Sequence, residues 1–393
     1  MYLIIASLPS QMVEFRRLAK LIRSRGEEVK IFVERESLLS EPGAELIPQG
    51  AVSRFPYWKF WQTVRASRSA AIETYRREKP KAVIVGEDGV GGNLAWIAAA
   101  KAIGIPVVVL PYEYSGAEQA IAAIRPEIDD FRVSGLIGQI FAWLRPAWVK
   151  VVDRQHILRL PLRYALSYEV AGVAPPNPWT VHGGRADVIL AESQQMEQHY
   201  KKEGIAASKI ATTGSLAFDD MHEAMATASP GGDRLRILCA LPPDYTASRG
   251  PLPYPDLVRL WLDEARKHGD VTVQAHPAAR ESLNKIGVAF DTRDITTLIA
   301  ENDLLVTSVS SIIRYALAAR RPVLNFDCYR FDYPDYVKAA GCTTVSSVEE
   351  YRAALGHIAD HFETYRGVSA SEASYWGVID GKSSERTAAV LGL

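Results

Sequence analysis

The sequence predicts an α/β protein built from two Rossmann-like domains, with parallel sheets facing each other across a cleft. Three observations carry this reading. At 393 residues the chain is too long for one ordinary core and suits two domains. Short apolar runs alternate with segments of helical period, the pattern of repeated βα units around a buried parallel sheet. That alternation breaks at Gly214-Ser215 and Ser229-Pro230-Gly231-Gly232 and then restarts.

Taken in order, Tyr2–Ser7 is a continuous apolar run, as a buried parallel strand requires. In Gln11–Arg25, Met12, Phe15, Leu18, Ala19 and Ile22 share one helical face, and Gly26 ends it. Val29–Val33, Ala82–Val85 and Pro106–Leu110 repeat the strand signal, with an Ala-rich helix over Leu94–Ile103. Residues 113–180 interrupt the rhythm with Pro and Trp and are read as an insertion. Strand Asp187–Ala191, helix Ser193–Glu203 and strand Lys209–Thr212 complete an N-terminal domain over 1–213. The second domain, 214–370, is expected to hold strands Arg236–Leu241, Val271–Ala275, Val288–Asp291, Leu304–Thr307 and Pro322–Phe326. Helices are expected between them over Asp256–Lys267, Ala279–Ile286, Ile295–Glu301 and Ser311–Arg320, followed by Val348–His361. Residues 371–393 read as a helical tail that packs back on the first domain.

Composition narrows the function. The formal net charge is −1, which does not point to nucleic acid. Cys239, Cys328 and Cys342 have no metal-ligand spacing, and Cys239 and Cys328 lie in apolar runs, so they read as buried hydrophobes in a reducing compartment. The opening MYLIIASLP reads as a first strand rather than a leader peptide. No stretch approaches the ~18 apolar residues a membrane span needs. A cytoplasmic protein is expected.

In open α/β sheets, functional groups collect just beyond the carboxyl ends of the strands. Four such places are chemically loaded. After strand Ala82–Val85 come Glu87, Asp88 and Gly89: two carboxylates that could hold a general base against a hydroxyl, or a turn in which Asp88 caps the next helix. At the end of Val271–Ala275, His276-Pro277 could present an imidazolium to a phosphate. Ser308, Ser310 and Ser311 lie at a strand-to-helix joint, where hydroxyls and backbone N–H groups suit an anion and where Ser310 could equally cap the helix. Beyond Pro322–Phe326, Asp327 and Tyr329 could enclose a base or sugar. Glu113 is a further carboxylate on the acceptor side.

The sequence has no GxGxxG, Walker loop, HExxH, GxSxG or Asp-x-Asp pair. Dehydrogenase, NTPase, zinc protease and α/β-hydrolase readings fall away, and no metal or cofactor is expected.

In chain order, Glu87-Asp88-Gly89, His276-Pro277 and Ser310-Ser311 resemble the (D/E)(D/E)G, HP and SS motifs of bacterial sialyltransferases and related CMP-sugar transferases of GT-B fold. The stretch Leu304–Tyr336 is also similar to CDP-glycerol glycerophosphotransferases and capsule Kdo transferases. The resemblance implies Asp88 as the base with Glu87 beside it, His276 on the donor phosphate, and Ser310 and Ser311 holding that phosphate. One departure concerns the glutamate with which many UDP- or GDP-sugar enzymes grip the ribose, because Arg314 stands at the comparable place. A second is Ser7-Leu8-Pro9-Ser10-Gln11, which lacks both a glycine-rich turn and the arginine-bearing opening of UDP-N-acetylglucosamine 2-epimerases.

The expected activity is therefore inverting, metal-independent transfer of a CMP-activated acidic sugar, sialic-acid-like or Kdo-like, to a glycan or lipid-linked glycan of the bacterial surface. The alternatives are a nucleotide-sugar hydrolase or epimerase of the same fold and a two-domain ligand-binding protein without catalysis. Two segments interleave aromatic and basic residues. Phe55, Tyr57, Trp58, Phe60 and Trp61 lie within Arg54–Lys81; Phe141, Trp143 and Trp148 lie within Phe131–Arg163. They suggest peripheral docking at the inner membrane face, or ordinary core helices with solvated basic sides.

Overall fold

The computed structural model describes residues 1–34, 36–39, 43–47, 57–111, 116–228, 234–245, 249, 251–308, 310–331 and 338–393. Glu113, Phe55 and the side chains of Tyr57 and Trp58 lie outside what it describes. Two compact units divide the chain. The first comprises 1–191, 196–213 and 386–393; the second comprises 192–195 and 214–385.

In the first unit the strands are β1 (Tyr2–Ala6), β2 (Val29–Val33), β3 (Ala44–Leu46), β4 (Val83–Val85), β5 (Val107–Val109), β6 (Val149–Val152), β7 (Gln155–Leu158), β8 (Val188–Ala191) and β9 (Ile210–Thr212). Seven of them form one parallel sheet in the order β3-β2-β1-β4-β5-β8-β9. β1 is buried along its whole length, as a strand covered on both faces must be. Helix Met12–Ser24 follows it and packs Phe15, Leu18, Ala19 and Ile22 inward. The stretch read as an insertion contains helices Ala117–Ile124, Gly135–Leu144 and Leu162–Val170 and an antiparallel hairpin of β6 and β7. Its local core gathers Phe141, Trp148, Leu158, Ala165 and Ala174. At the chain end, the Tyr2 hydroxyl donates to the Leu391 carbonyl at 2.8 Å.

The second unit holds β10 (Leu235–Leu241), β11 (Gly269–Ala275), β12 (Leu304–Thr307), β13 (Val323–Phe326) and β14 (Cys342–Val345), all parallel in the order β11-β10-β12-β13-β14. Helix Tyr254–His268 buries Leu257, Val258, Trp261, Leu262 and Ala265 at helical spacing. Trp261 meets Phe326 and Tyr351, and those two rings stack at 4.7 Å. A reciprocal cap between Ser347 and Glu350 starts helix Val348–Asp360. Two expected features differ here. Val288–Asp291 is no strand, because only Asp291 bridges, to Gln274. The Gly/Ser-marked stretch after 214 contains helix Ala217–Thr227, which buries Ala217, Phe218 and Met221. All three cysteines are free and buried, and burial raises each thiol to about 12. No described helix is long and apolar enough to cross a membrane.

Candidate functional site

Each sheet reverses its strand order at one point, and in open α/β sheets ligands bind beyond the carboxyl ends there. In the first unit that point lies between β1 and β4. The loop leaving β1 closes on itself: the Gln11 carboxamide oxygen accepts the N–H groups of Ser7 and Leu8, at 2.8 and 3.2 Å. Gln11 is buried, and a Cβ on Gly86 would lie 2.5 Å from its amide nitrogen. The sequence flagged the missing glycine-rich turn but not Gln11, whose only signal was a polar residue at the helix start.

The loop leaving β4 carries Glu87, Asp88 and Gly89. Asp88 is only 1 % exposed, and its carboxylate accepts Ala186 N–H at 2.7 Å and Gly184 N–H at 3.3 Å. Burial raises its pKa, and those two N–H groups oppose the rise. Gly89 donates to the Val181 carbonyl at 2.7 Å, and a Cβ there would lie 2.5 Å from the same oxygen. On Gly184 a Cβ would lie 1.8 Å from the Asp88 carbonyl oxygen. The two loops approach too closely for any side chain at either glycine. The capping alternative for Asp88 is overturned, since Asn93 caps helix Leu94–Ala102 by accepting Trp96 N–H at 3.3 Å. Glu87 is also buried, its carboxylate lying against Gly91. It favours the charged form of Arg159, a half-buried guanidinium whose pKa burial lowers. Arg159 was visible in the sequence only as one basic residue among several.

In the second unit the reversal lies between β10 and β12. His276 follows β11, Ser308, Ser310 and Ser311 follow β12, and Asp327 and Tyr329 follow β13. All therefore stand at one edge of a single sheet. Pro277 opens a 3-10 turn capped by His276, whose Nδ1 accepts Ala278 N–H at 3.2 Å. Burial and the neighbouring Arg280 both lower the His276 pKa. With Nδ1 occupied as an acceptor, the proton sits on Nε2. Nε2 is thus the ring nitrogen left to donate, and burial and Arg280 both disfavour the imidazolium expected from sequence.

Ser308 is buried beside the Cys328 thiol, and among the described residues its hydroxyl has no hydrogen-bond partner of full geometry. A thiol is only a weak partner, so this hydroxyl is under-satisfied. Ser310 Oγ accepts Ile312 N–H at 3.4 Å, whereas Ser311 is exposed and makes no side-chain cap. Asp327 Oδ1 accepts Phe331 N–H at 2.9 Å and shapes the turn after β13. Tyr329 is buried and donates to the Pro243 carbonyl at 3.3 Å. Its ring meets Tyr245 edge-on at 5.4 Å, Tyr245 meets Phe331 at the same distance, and the Arg249 guanidinium lies 5.0 Å over Phe331. Arg314 is buried and ion-paired with Glu192.

Among the described residues no His, Cys, Asp and Glu cluster is arranged to hold a metal. A cavity of about 460 Å³ lined by Arg236, Asp270, Thr272 and Glu301 opens by the amino ends of β10 and β11, away from these residues.

No protein-family model and no curated protein matches the sequence. Solved structures do match. A putative UDP-N-acetylglucosamine 2-epimerase from Listeria monocytogenes has a TM-score of 0.56 at 14 % identity, over 99 % of this chain and 95 % of that one. The UDP-GlcNAc 2-epimerase from Neisseria meningitidis, bound to UDP-GlcNAc, has a TM-score of 0.56 at 11 % identity, over 99 % of both chains. The wall teichoic acid polymerase TagF has a TM-score of 0.54 at 12 % identity, over 100 % of this chain and 88 % of that one. At such identities the likeness assigns the fold and nothing finer. Strand order and likeness together give an α/β protein of GT-B fold, with two parallel-sheet, Rossmann-like domains.

Proposed function

We propose that this chain is an enzyme acting on a nucleotide-activated sugar, whose second unit grips the nucleotide phosphate at the carboxyl edge of its sheet. The observation that carries the reading is the His276 ring, fixed by Ala278 N–H with Nε2–H left to donate, on the same sheet edge as the under-satisfied Ser308 hydroxyl. A neutral N–H donor and a hydroxyl stabilise charge developing on a departing phosphate without taking up a proton. Tyr245 and Phe331, edge-on to each other, would flank the base.

Two chemistries use such a grip. The two epimerases named above favour rearrangement or hydrolysis of a UDP-sugar as the first reading. The second is inverting transfer from a CMP-activated acidic sugar. It is favoured by Arg314, which the sequence resemblance sets at the place of a ribose-gripping glutamate and which is ion-paired with Glu192. In the transfer reading, a general base removes the acceptor proton as the acceptor oxygen bonds the anomeric carbon. The bond from that carbon to the phosphate oxygen breaks, and the nucleotide leaves with the electron pair. Both Asp88 oxygens already accept N–H groups, which gives that side chain a positioning role.

The test is incubation with UDP-GlcNAc, a CMP-linked sialic acid and CDP-glycerol, with and without sugar acceptors, followed by NMR. Conversion of UDP-GlcNAc without acceptor supports the first reading, and acceptor-dependent release of CMP supports the second. His276→Ala should weaken nucleotide binding about tenfold, while His276→Gln, which keeps a terminal N–H donor, should lose less. Absence of binding to all three nucleotides would remove the proposal.

A further inference from the structure

We infer that helix Gly135–Leu144 docks on an anionic lipid surface. Its inward side is set by Phe141 and Gly138, both buried, with Gly138 lying against Val133 and Leu162. Its other side exposes Leu136 (73 %), Ile137 (64 %), Ile140 (49 %), Trp143 (79 %) and Leu144 (55 %). At about 100° per residue these five occupy one arc of roughly 120°. Solvated helix faces are normally polar, whereas this helix has no charged residue and only Gln139 as a polar side chain. Phe141 and Trp148, grouped with Trp143 on sequence grounds, are core residues of the unit; Trp143 alone stands outward.

The surrounding charge selects the occupant. Residues 131–163 contain six basic residues (Arg132, Arg145, Lys150, Arg154, Arg159, Arg163) and one acid, Asp153, a balance of +5 within a chain of net charge −1. Of these, Arg132 is ion-paired with Asp129 and Arg145, directly after the helix, with Glu169, so the positive excess rests on Lys150, Arg154 and Arg163. A symmetric pairing of two copies through this face would set one positive field against the other. Anionic headgroups complement that excess, and an exposed apolar helix stripe with a Trp is the chemistry of an interfacial helix.

The experiment is flotation of the full chain with phosphatidylcholine vesicles, with and without phosphatidylglycerol, at low and high salt. Binding should require phosphatidylglycerol, weaken with salt, and fall about tenfold or more in Ile137→Ser/Trp143→Ser. Thermal melting of that variant checks that it folds. Brominated lipid should quench tryptophan emission in the wild type and less in Trp143→Phe. Vesicle binding unchanged by the double variant would overturn the inference. So would a wild type that ignores vesicles but elutes as a dimer that the variant dissociates.

Discussion

Asp88 and Ala186 are 98 positions apart in the chain, yet the Asp88 carboxylate accepts the Ala186 backbone N–H at 2.7 Å. With Gly184 as second donor, this side chain fixes the 184–186 loop to the end of β4. In Asp88→Asn the amide nitrogen would face one of these donors, so the unit should lose about 1–3 kcal/mol. That corresponds to a Tm drop of about 2–4 °C per kcal/mol for a unit of this size. Calorimetry checks the loss. If activity vanished while Tm stayed at the wild-type value, Asp88 would act in the chemistry rather than in holding the loop.

The Arg314–Glu192 pair should behave as a unit. Both side chains are at most 9 % exposed, so removing either partner strands a buried charge. Arg314→Met and Glu192→Gln should each cost about 3–5 kcal/mol, and the double variant less than the sum. A urea double-mutant cycle reads the coupling. Additive losses would mean that water or another residue already compensates each charge.

Acid should loosen the second unit through Asp303. Burial alone would raise its carboxyl, but the Arg236 side chain at 2.8 Å and the Arg236 N–H at 3.0 Å outweigh burial and lower its pKa. The folded value therefore lies below the unfolded value of about 3.9. The stabilisation is fully present above that value and is lost as pH falls through it toward the folded one. Asp303→Asn should melt below wild type at neutral pH, with the gap closing as pH falls through about 4. A gap independent of pH would show that packing, not charge, is at stake.

The fold class was legible because buried parallel strands are written as unbroken apolar runs, as at Tyr2–Ala6 and Leu304–Thr307. β3 and β14 carry polar residues such as Glu45, Thr343 and Thr344 and gave no such signal. The β6–β7 hairpin turns at Asp153-Arg154, both at positive φ, without the glycine that usually announces such a turn. At the candidate site, placement was legible, since every parallel strand delivers its following loop to the same edge. Partnership was not. Asp88 with Ala186 and Arg314 with Glu192 join residues whose separation, 98 and 122 positions, no local pattern records. The state of His276 was hidden for a simpler reason: it depends on one backbone N–H two residues on.

The chain passes between its two units four times, at 191/192, 195/196, 213/214 and 385/386. Residues 386–393 belong with the first unit, and Arg386 Nε donates to the Thr213 carbonyl at 2.7 Å. On the ribosome, all of 214–385 must emerge before this last piece of the first unit exists. Synthesis order and assembly order thus diverge. The unit that begins first is completed last, and until then the region around Tyr2 lacks its native cover. A nascent chain of this design has an extended period of dependence on whatever shields that surface.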